Sequence, residues 1–198
     1  METNTELLSF DLKGFVTQQR EFSAGAFRPG SRKVGVANHI LEECNEAQSQ
    51  PDDLSEWVDL MLLSLDAAWR SGLSASEIAR RIAPGRHRAG EGDLIDCLKR
   101  GDHKVTEWAI GEDGEPMTGT DNALYWIRGC ARELKSDVPV SPSLFVTMFC
   151  SACDGALSNG FEPEAIARGL IEKLTRNKKR VWPDWRNFSE NDAINHER

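Results

Sequence analysis

Long apolar runs are missing from this chain: nothing in it approaches the roughly 18 consecutive apolar residues of a membrane-spanning helix. The first residues, Met1-Glu2-Thr3-Asn4-Thr5-Glu6, lack the basic start and apolar stretch of a secretory signal, so a cytoplasmic setting and no membrane partner are expected. Cysteine is sparse and odd in number (Cys44, Cys97, Cys130, Cys150 and Cys153), which argues against a disulfide framework and fits a reducing compartment. Cys150-Ser-Ala-Cys153 has the spacing of half a zinc site, yet no second Cys or His pair follows at a ligand interval, and two small core residues is the plainer use. Positive charge is short: 24 Lys and Arg face 32 Asp and Glu, a net charge of −8. A broad basic surface is thereby not expected, nor is nucleic acid as a partner. The four histidines (His39, His87, His103 and His196) include no His-Asp dipeptide, which removes an HD-type phosphohydrolase.

An acidic protein still handles an anionic substrate when a divalent cation bridges the two, so clustered carboxylates are the feature to look for. Helical spacing dominates the chain. It predicts a short helix at about 5–20, then an irregular arm containing Gly25, Pro29, Gly30 and Gly35. Helices follow at about 38–49, with Ile40, Leu41, Cys44 and Ala47 on one side, and at about 53–71, after the Pro51-Asp52-Asp53 break. Gly72 closes that helix, and Ser74-Ala75-Ser76-Glu77 opens another to about 83 with a capping-box pattern. Residues 84–120 are punctuated by glycine; a helix near 91–100 and a strand over Thr106–Ile110, turning at Gly111-Glu112-Asp113-Gly114, are expected there. Helices resume at about 120–135, 142–158 and 162–180.

The chain also echoes itself. Asp66, Gly72, Ile78, Ala79 and Arg80 recur at constant register as Asp154, Gly160, Ile166, Ala167 and Arg168. This predicts a tandem-duplicated helical hairpin whose second copy has lost the acids of the first; the alternative is chance likeness between two helix–Gly–helix corners. The expectation is a single all-α domain over 1–198. It comprises an arm and acidic hairpin to 83, an insertion at 84–120, a second repeat with a cationic tail over 121–186, and a flexible end at 187–198.

The acids lie where chemistry would need them. On the helix at 38–49, His39, Glu42, Glu43 and Glu46 share the face opposite the apolar side, and a helical turn sets Glu43 beside Glu46. On the next helix Glu56 and Asp59 repeat that spacing, with Asp66 further along the stripe. The rest of this helix is apolar nearly all round, so its carboxylates are pressed into a crowded place where uncompensated charge is costly. Two short-linked helices offering two carboxylates each make an all-oxygen site suited to Mg²⁺ or Mn²⁺. Far along the chain, Lys173, Arg176, Lys178, Lys179 and Arg180 crowd one helix end. A helix dipole accounts for one or two of them, and neutralising a polyphosphate accounts for the cluster better. Trp182 and Trp185 either stack on a base or cap the core, with core packing the plainer use.

Glu42-Glu43-x-x-Glu46 followed by Glu56-x-x-Asp59 resembles the signature of the MazG-like all-α nucleotide pyrophosphohydrolases, and Lys173…Asn177…Arg180-Val-Trp182-Pro183 is similar to their phosphate-binding segment. Gly35-Val-Ala-Asn-His39-Ile40, Asp53-Leu-Ser-Glu-Trp-Val-Asp59, Ala67-Ala-Trp-Arg-Ser-Gly72 and the Trp-Pro-Asp-Trp end look most like the dATP/dGTP diphosphohydrolase branch common in phages. The likeness covers about 22–83 and 160–186. One departure stands out: some 90 residues separate the acidic helices from the tail, where the family has few. The tail would then reach the site across a pseudo-dimer, in the place a partner subunit would otherwise fill.

The resemblance implies a MazG-like bundle that cleaves a purine (d)NTP, (d)GTP or dATP, to the monophosphate and pyrophosphate. Two or more Mg²⁺ or Mn²⁺ ions would sit on Glu43, Glu46, Glu56 and Asp59. Glu42 would be a supporting carboxylate or the base. His39, Lys173, Asn177, Lys178, Arg180 and Trp182 would contact substrate. A homo-oligomer is implied too, a dimer before a tetramer. The competing expectation is a catalytically idle helical protein that binds nucleotides for regulation.

Overall fold

Polar side chains cap the starts of five α-helices, and two glycines set where two of the long ones turn. The computed structural model describes residues 9–84, 93–103, 109–136, 139–192 and 194. Among these residues lie eight α-helices: α1 (Leu12–Ala26), α2 (Lys33–Ser49), α3 (Leu54–Arg70), α4 (Ala75–Ile82), α5 (Leu94–Arg100), α6 (Gly119–Leu134), α7 (Pro142–Ser158) and α8 (Pro163–Lys179). Asp53 opens α3 by accepting from the Ser55 amide at 2.8 Å, and Ser74 with Glu77 forms the reciprocal capping box of α4. Gly72 (φ +95°) and Gly160 (φ +85°) stand just past α3 and α7 in the left-handed region. Each corner closes with the same bond, Leu73 amide to Ala68 carbonyl at 3.3 Å and Phe161 amide to Ala156 carbonyl at 3.2 Å.

The hairpins α2–α3 and α6–α7 pack into a four-helix bundle, with α3 on α7 and α2 on α6. Buried residues run round most of α3, as its sequence demands, and one hydrophobic core joins all the helices. Where α3 crosses α7, the Trp57 ring fills the space a side chain at residue 155 would need: a Cβ on Gly155 would come within 2.2 Å of it. α8 lies along α3, α1 flanks α3 and α4, and α5 covers α8. No helix of the described residues is long and apolar enough to cross a membrane.

The all-α expectation holds, with local corrections. The first helix runs over 12–26 rather than 5–20, because the Asp11 carboxylate caps it at the Gly14 amide (3.0 Å). α2 begins at Lys33, five residues before the expected start. Gly35, read as part of a loose arm, is helical; its missing side chain lets the carbonyls of Glu190 and Asp192 approach, 2.9 and 2.8 Å from where a Cβ would sit. The expected hairpin strand falls largely on residues outside the described ones. The described part is a tight turn, with Met117 amide to Ala109 carbonyl at 2.6 Å and one isolated bridge, Ile110 to Pro116. Of the end read as a flexible tail, 187–198, the described residues Asn191, Asp192 and Ile194 pack instead against the start of α2, and the last four lie outside the described residues. Arg32 donates to the Asp192 carbonyl at 2.5 Å, Asn38 to the Asn191 carbonyl at 3.2 Å, and Ile194 is buried.

Candidate active site

Because α2 and α3 are joined by a short turn, the acidic faces of both helices open into one cavity of about 430 Å³. Oxygens of Glu43 and Glu46 on α2 and of Glu56 on α3 all lie within 4.8 Å of one another. Glu43 Oε2 and Glu56 Oε2 are buried with no hydrogen-bond partner among the described residues. Two buried carboxylate oxygens so close together and without a donor cost the fold free energy. Their oxygens are the ligand type that a hard divalent cation takes, so the residues fit one.

Electrostatics record the crowding. Burial pushes the Glu56 carboxyl up to about 7, helped by the negative charge of Glu43, Asp59 and Glu46. Burial likewise lifts Asp59 to about 6, against the opposing pull of Lys173. His39 donates to Glu43, Nε2 to Oε1 at 3.0 Å. Burial would lower the pKa of this imidazole, but that bond and the charges of Glu43, Glu42 and Asp59 outweigh it, and the net shift is upward.

Asp59 stands apart from the three clustered acids. Its carboxylate is paired with Lys173 of α8, whose ammonium also donates to Ser55 Oγ at 3.0 Å. The cationic helix, packed along α3, thus reaches the acidic hairpin within the same chain. Asn177, one turn beyond Lys173, lines the cavity and accepts from Arg180 at 3.1 Å. Trp182 donates to the Asn177 carbonyl at 2.8 Å and stands edge-on to Phe27, ring centroids 4.6 Å apart, so it packs and lines the cavity at once. Lys178 does not join this group. It points a hundred degrees further round α8, with Nζ 3.3 Å from Gln18 Oε1 on α1, outside the cavity.

Comparison with known families decides the assignment at this point. A family model described as dATP/dGTP pyrophosphohydrolase matches residues 16–86 and 103–198. The chain belongs to the dATP/dGTP pyrophosphohydrolase family. It is therefore a hydrolase acting on nucleoside triphosphates. No curated protein matches the chain, and no solved structure does.

In this pyrophosphohydrolase the cavity extends past the acids to a deeper end that the sequence did not reveal. Gln19, Phe22 and Ser23 of α1, with Phe27, Arg32, Val36 and Ile194, line it. Asp66, on the acidic stripe of α3, is committed there: it accepts from Ser23, from Trp69 Nε1 (2.9 Å) and from Arg70 Nε (2.7 Å). Arg70 also donates to the carbonyls of Arg28 (3.0 Å) and Gly30 (2.9 Å), folding the 27–31 loop round its guanidinium and holding Arg28 at φ 73°. Gln19 comes from the end of the first expected helix, and the other missed residues from the segment beyond it and from the chain end. The available signal was the pair Phe22 and Phe27 followed closely by Arg28 and Arg32 in an acidic protein.

Proposed function

We propose that the chain cleaves the α–β phosphoanhydride of a purine deoxynucleoside triphosphate, dGTP or dATP, with Mg²⁺ or Mn²⁺ bound at Glu43, Glu46 and Glu56. The observation that carries this reading is the cluster of three carboxylates with two orphaned oxygens, facing Lys173 inside one cavity. A divalent ion held there would acidify water and offset charge growing on the phosphoryl oxygens.

The chain's own groups supply the rest. Water oxygen bonds to the α-phosphorus, the bond from the α-phosphorus to the bridging oxygen breaks, and that oxygen leaves on the β-phosphorus as part of pyrophosphate. Of the six carboxylates lining the cavity, three form the cluster, Asp59 is held by Lys173, and Asp66 is saturated. Glu42 remains, and it takes the proton of the attacking water. Lys173 and Arg180 face the departing pyrophosphate, whose charge they neutralise. His39 holds Glu43 in place through the 3.0 Å bond.

The test is a screen of all natural ribo- and deoxyribonucleoside triphosphates with Mg²⁺, with Mn²⁺ and with chelator. The expected result is pyrophosphate and monophosphate in equal amounts from purine deoxynucleotides, abolished by chelator. Orthophosphate as the sole product would rule the mechanism out. Tight nucleotide binding without turnover would replace it with the idle, regulatory reading.

A further inference from the structure

Two buried side chains at the deep end of the cavity each keep one polar atom unpaired, Arg32 doing so although its terminal nitrogen donates to the Asp192 carbonyl. Gln19 is 5% exposed and its Oε1 has no partner among the described residues; Arg32 is also 5% exposed and its Nε has none among them. Their neighbours offer no relief. The Asp66 carboxylate accepts three bonds, and Ser23 Oγ both donates to Asp66 and accepts from Arg70 at 2.9 Å. Gln19 lies one turn before Ser23 on α1, and Arg32 feels the charges of Arg70 and Asp66, so both sit at this same end. The walls are aromatic and aliphatic: Phe22, Phe27, Trp182, Val36 and Ile194.

Burying an amide oxygen and a guanidinium N–H without partners is costly, and such groups are retained where a ligand pairs with them. The spacing suits a nucleotide. Glu56 and Asp66 are ten residues apart on α3, about 15 Å along the helix. With phosphates at the acids, a flat base reaches the aromatic end.

Resting on the function proposed above, we infer that Gln19 and Arg32 read the six-membered-ring edge of the purine. Gln19 Oε1 accepts from guanine N1–H, and Arg32 Nε donates to guanine O6, with the ring between Phe27, Trp182 and Val36. Adenine inverts that edge, presenting an amine where guanine has O6 and a bare nitrogen where guanine has N1–H. Both protein groups would then stay unpaired, which is the situation in which hydrogen-bonding sites discriminate most strongly. The pair therefore favours dGTP over dATP by roughly 10- to 100-fold.

The experiment measures kcat/KM for dGTP, dITP, dATP and a base-less deoxyribose triphosphate with the wild type, Gln19→Leu and Arg32→Met. In parallel, equilibrium binding of dGMP is measured in chelator, and thermal unfolding of each protein is recorded. dITP keeps N1–H and O6 but lacks the 2-amino group, so it should behave as dGTP does. Each variant should lose at least tenfold more on dGTP and dITP than on the base-less substrate, and should lose dGMP affinity by a similar factor. Gln19→Leu should keep or raise the melting temperature, since it removes an unsatisfied buried amide. Equal losses on all substrates, or a wild type indifferent to the base, would overturn the inference while leaving the hydrolytic reading in place. A wild type inactive on every triphosphate, whose dGMP binding still depends on Gln19, would do the reverse.

Discussion

The two hairpins of the bundle share one architecture and differ in what it costs them. α3 and α7 lie 88 positions apart at both ends, and their Gly72 and Gly160 corners close alike. In α2 the buried residues are Gly35, Val36, Ala37, Ile40, Cys44 and Ala47; moved on by 87 positions they become Asn122, Ala123, Leu124, Ile127, Ala131 and Leu134, the buried set of α6. At the same offsets His39 becomes Trp126, Glu43 becomes Cys130, Glu56 becomes Leu144 and Asp59 becomes Thr147, while Glu46 meets the exposed Glu133 and Asp66 meets Asp154. The burial pattern that folds a hairpin is present twice, and the clustered carboxylates once among the described residues. We propose a duplicated hairpin unit as the origin of this likeness. The acids are thus not needed to make the bundle, and α2–α3 carries them at the expense of stability.

The sharpest way to test that contrast is to remove one acid from each hairpin. Glu43→Gln leaves the cation-fitting cluster with two carboxylates and should lower the rate of pyrophosphate release by about 10²–10³-fold or more. Glu133→Gln, on the matching helix, should leave kcat/KM within about twofold, as exposed substitutions away from a site generally do. Equal effects would erase the distinction between the halves.

The cluster was legible from residue spacing because an i, i+3 pair on a helix is local geometry, and α2 and α3 carry one each. The helical corner was legible for the same reason, since Gly72 and the Ser74–Glu77 box act within a few residues. What could not be read depends on partners distant in sequence. Nothing local to Asp59 says that Lys173, 114 positions on, will claim it. Nothing around Arg32 says that its neighbours will bury it without a partner for Nε, nor does Gly35 announce that the chain end lies over it. Lys178 shows the opposite error: its charge fitted the cationic run, but its angle on α8 turns it away from the cavity.

A second contrast concerns Asp66 and its counterpart Asp154. Asp66 is buried and bound to Arg70, whereas Asp154 meets His103 at 2.9 Å, and the position matching Arg70 is the exposed Ser158. Arg70→Met strands the Asp66 carboxylate and releases the loop around Arg28. It should cost about 3–5 kcal/mol in chemical denaturation, the usual penalty for leaving half of a buried pair. Ser158→Ala should change stability by less than about 0.5 kcal/mol. A mild Arg70→Met would mean that the loop, and with it the deep end of the cavity, is held by something else.

The smallest expected effect is in the pH dependence of the metal-free protein. Glu56 and Asp59 titrate in the folded state at about 7 and about 6, above ordinary carboxylates, because folding buries their charge. A group with a raised folded pKa favours folding fully below its unfolded pKa, and that contribution is lost as pH rises through the folded value. His39, shifted upward as well, acts with the same sign. The melting temperature in chelator should therefore fall between about pH 5 and pH 8, and Glu56→Gln should flatten the slope. Adding Mg²⁺ at pH 8 should recover the loss, because a cation that binds the folded state alone stabilises it by mass action. A melting temperature indifferent to pH across this range, in both the wild type and Glu56→Gln, would mean that the acidic hairpin carries no such electrostatic cost and differs from its partner in chemistry alone.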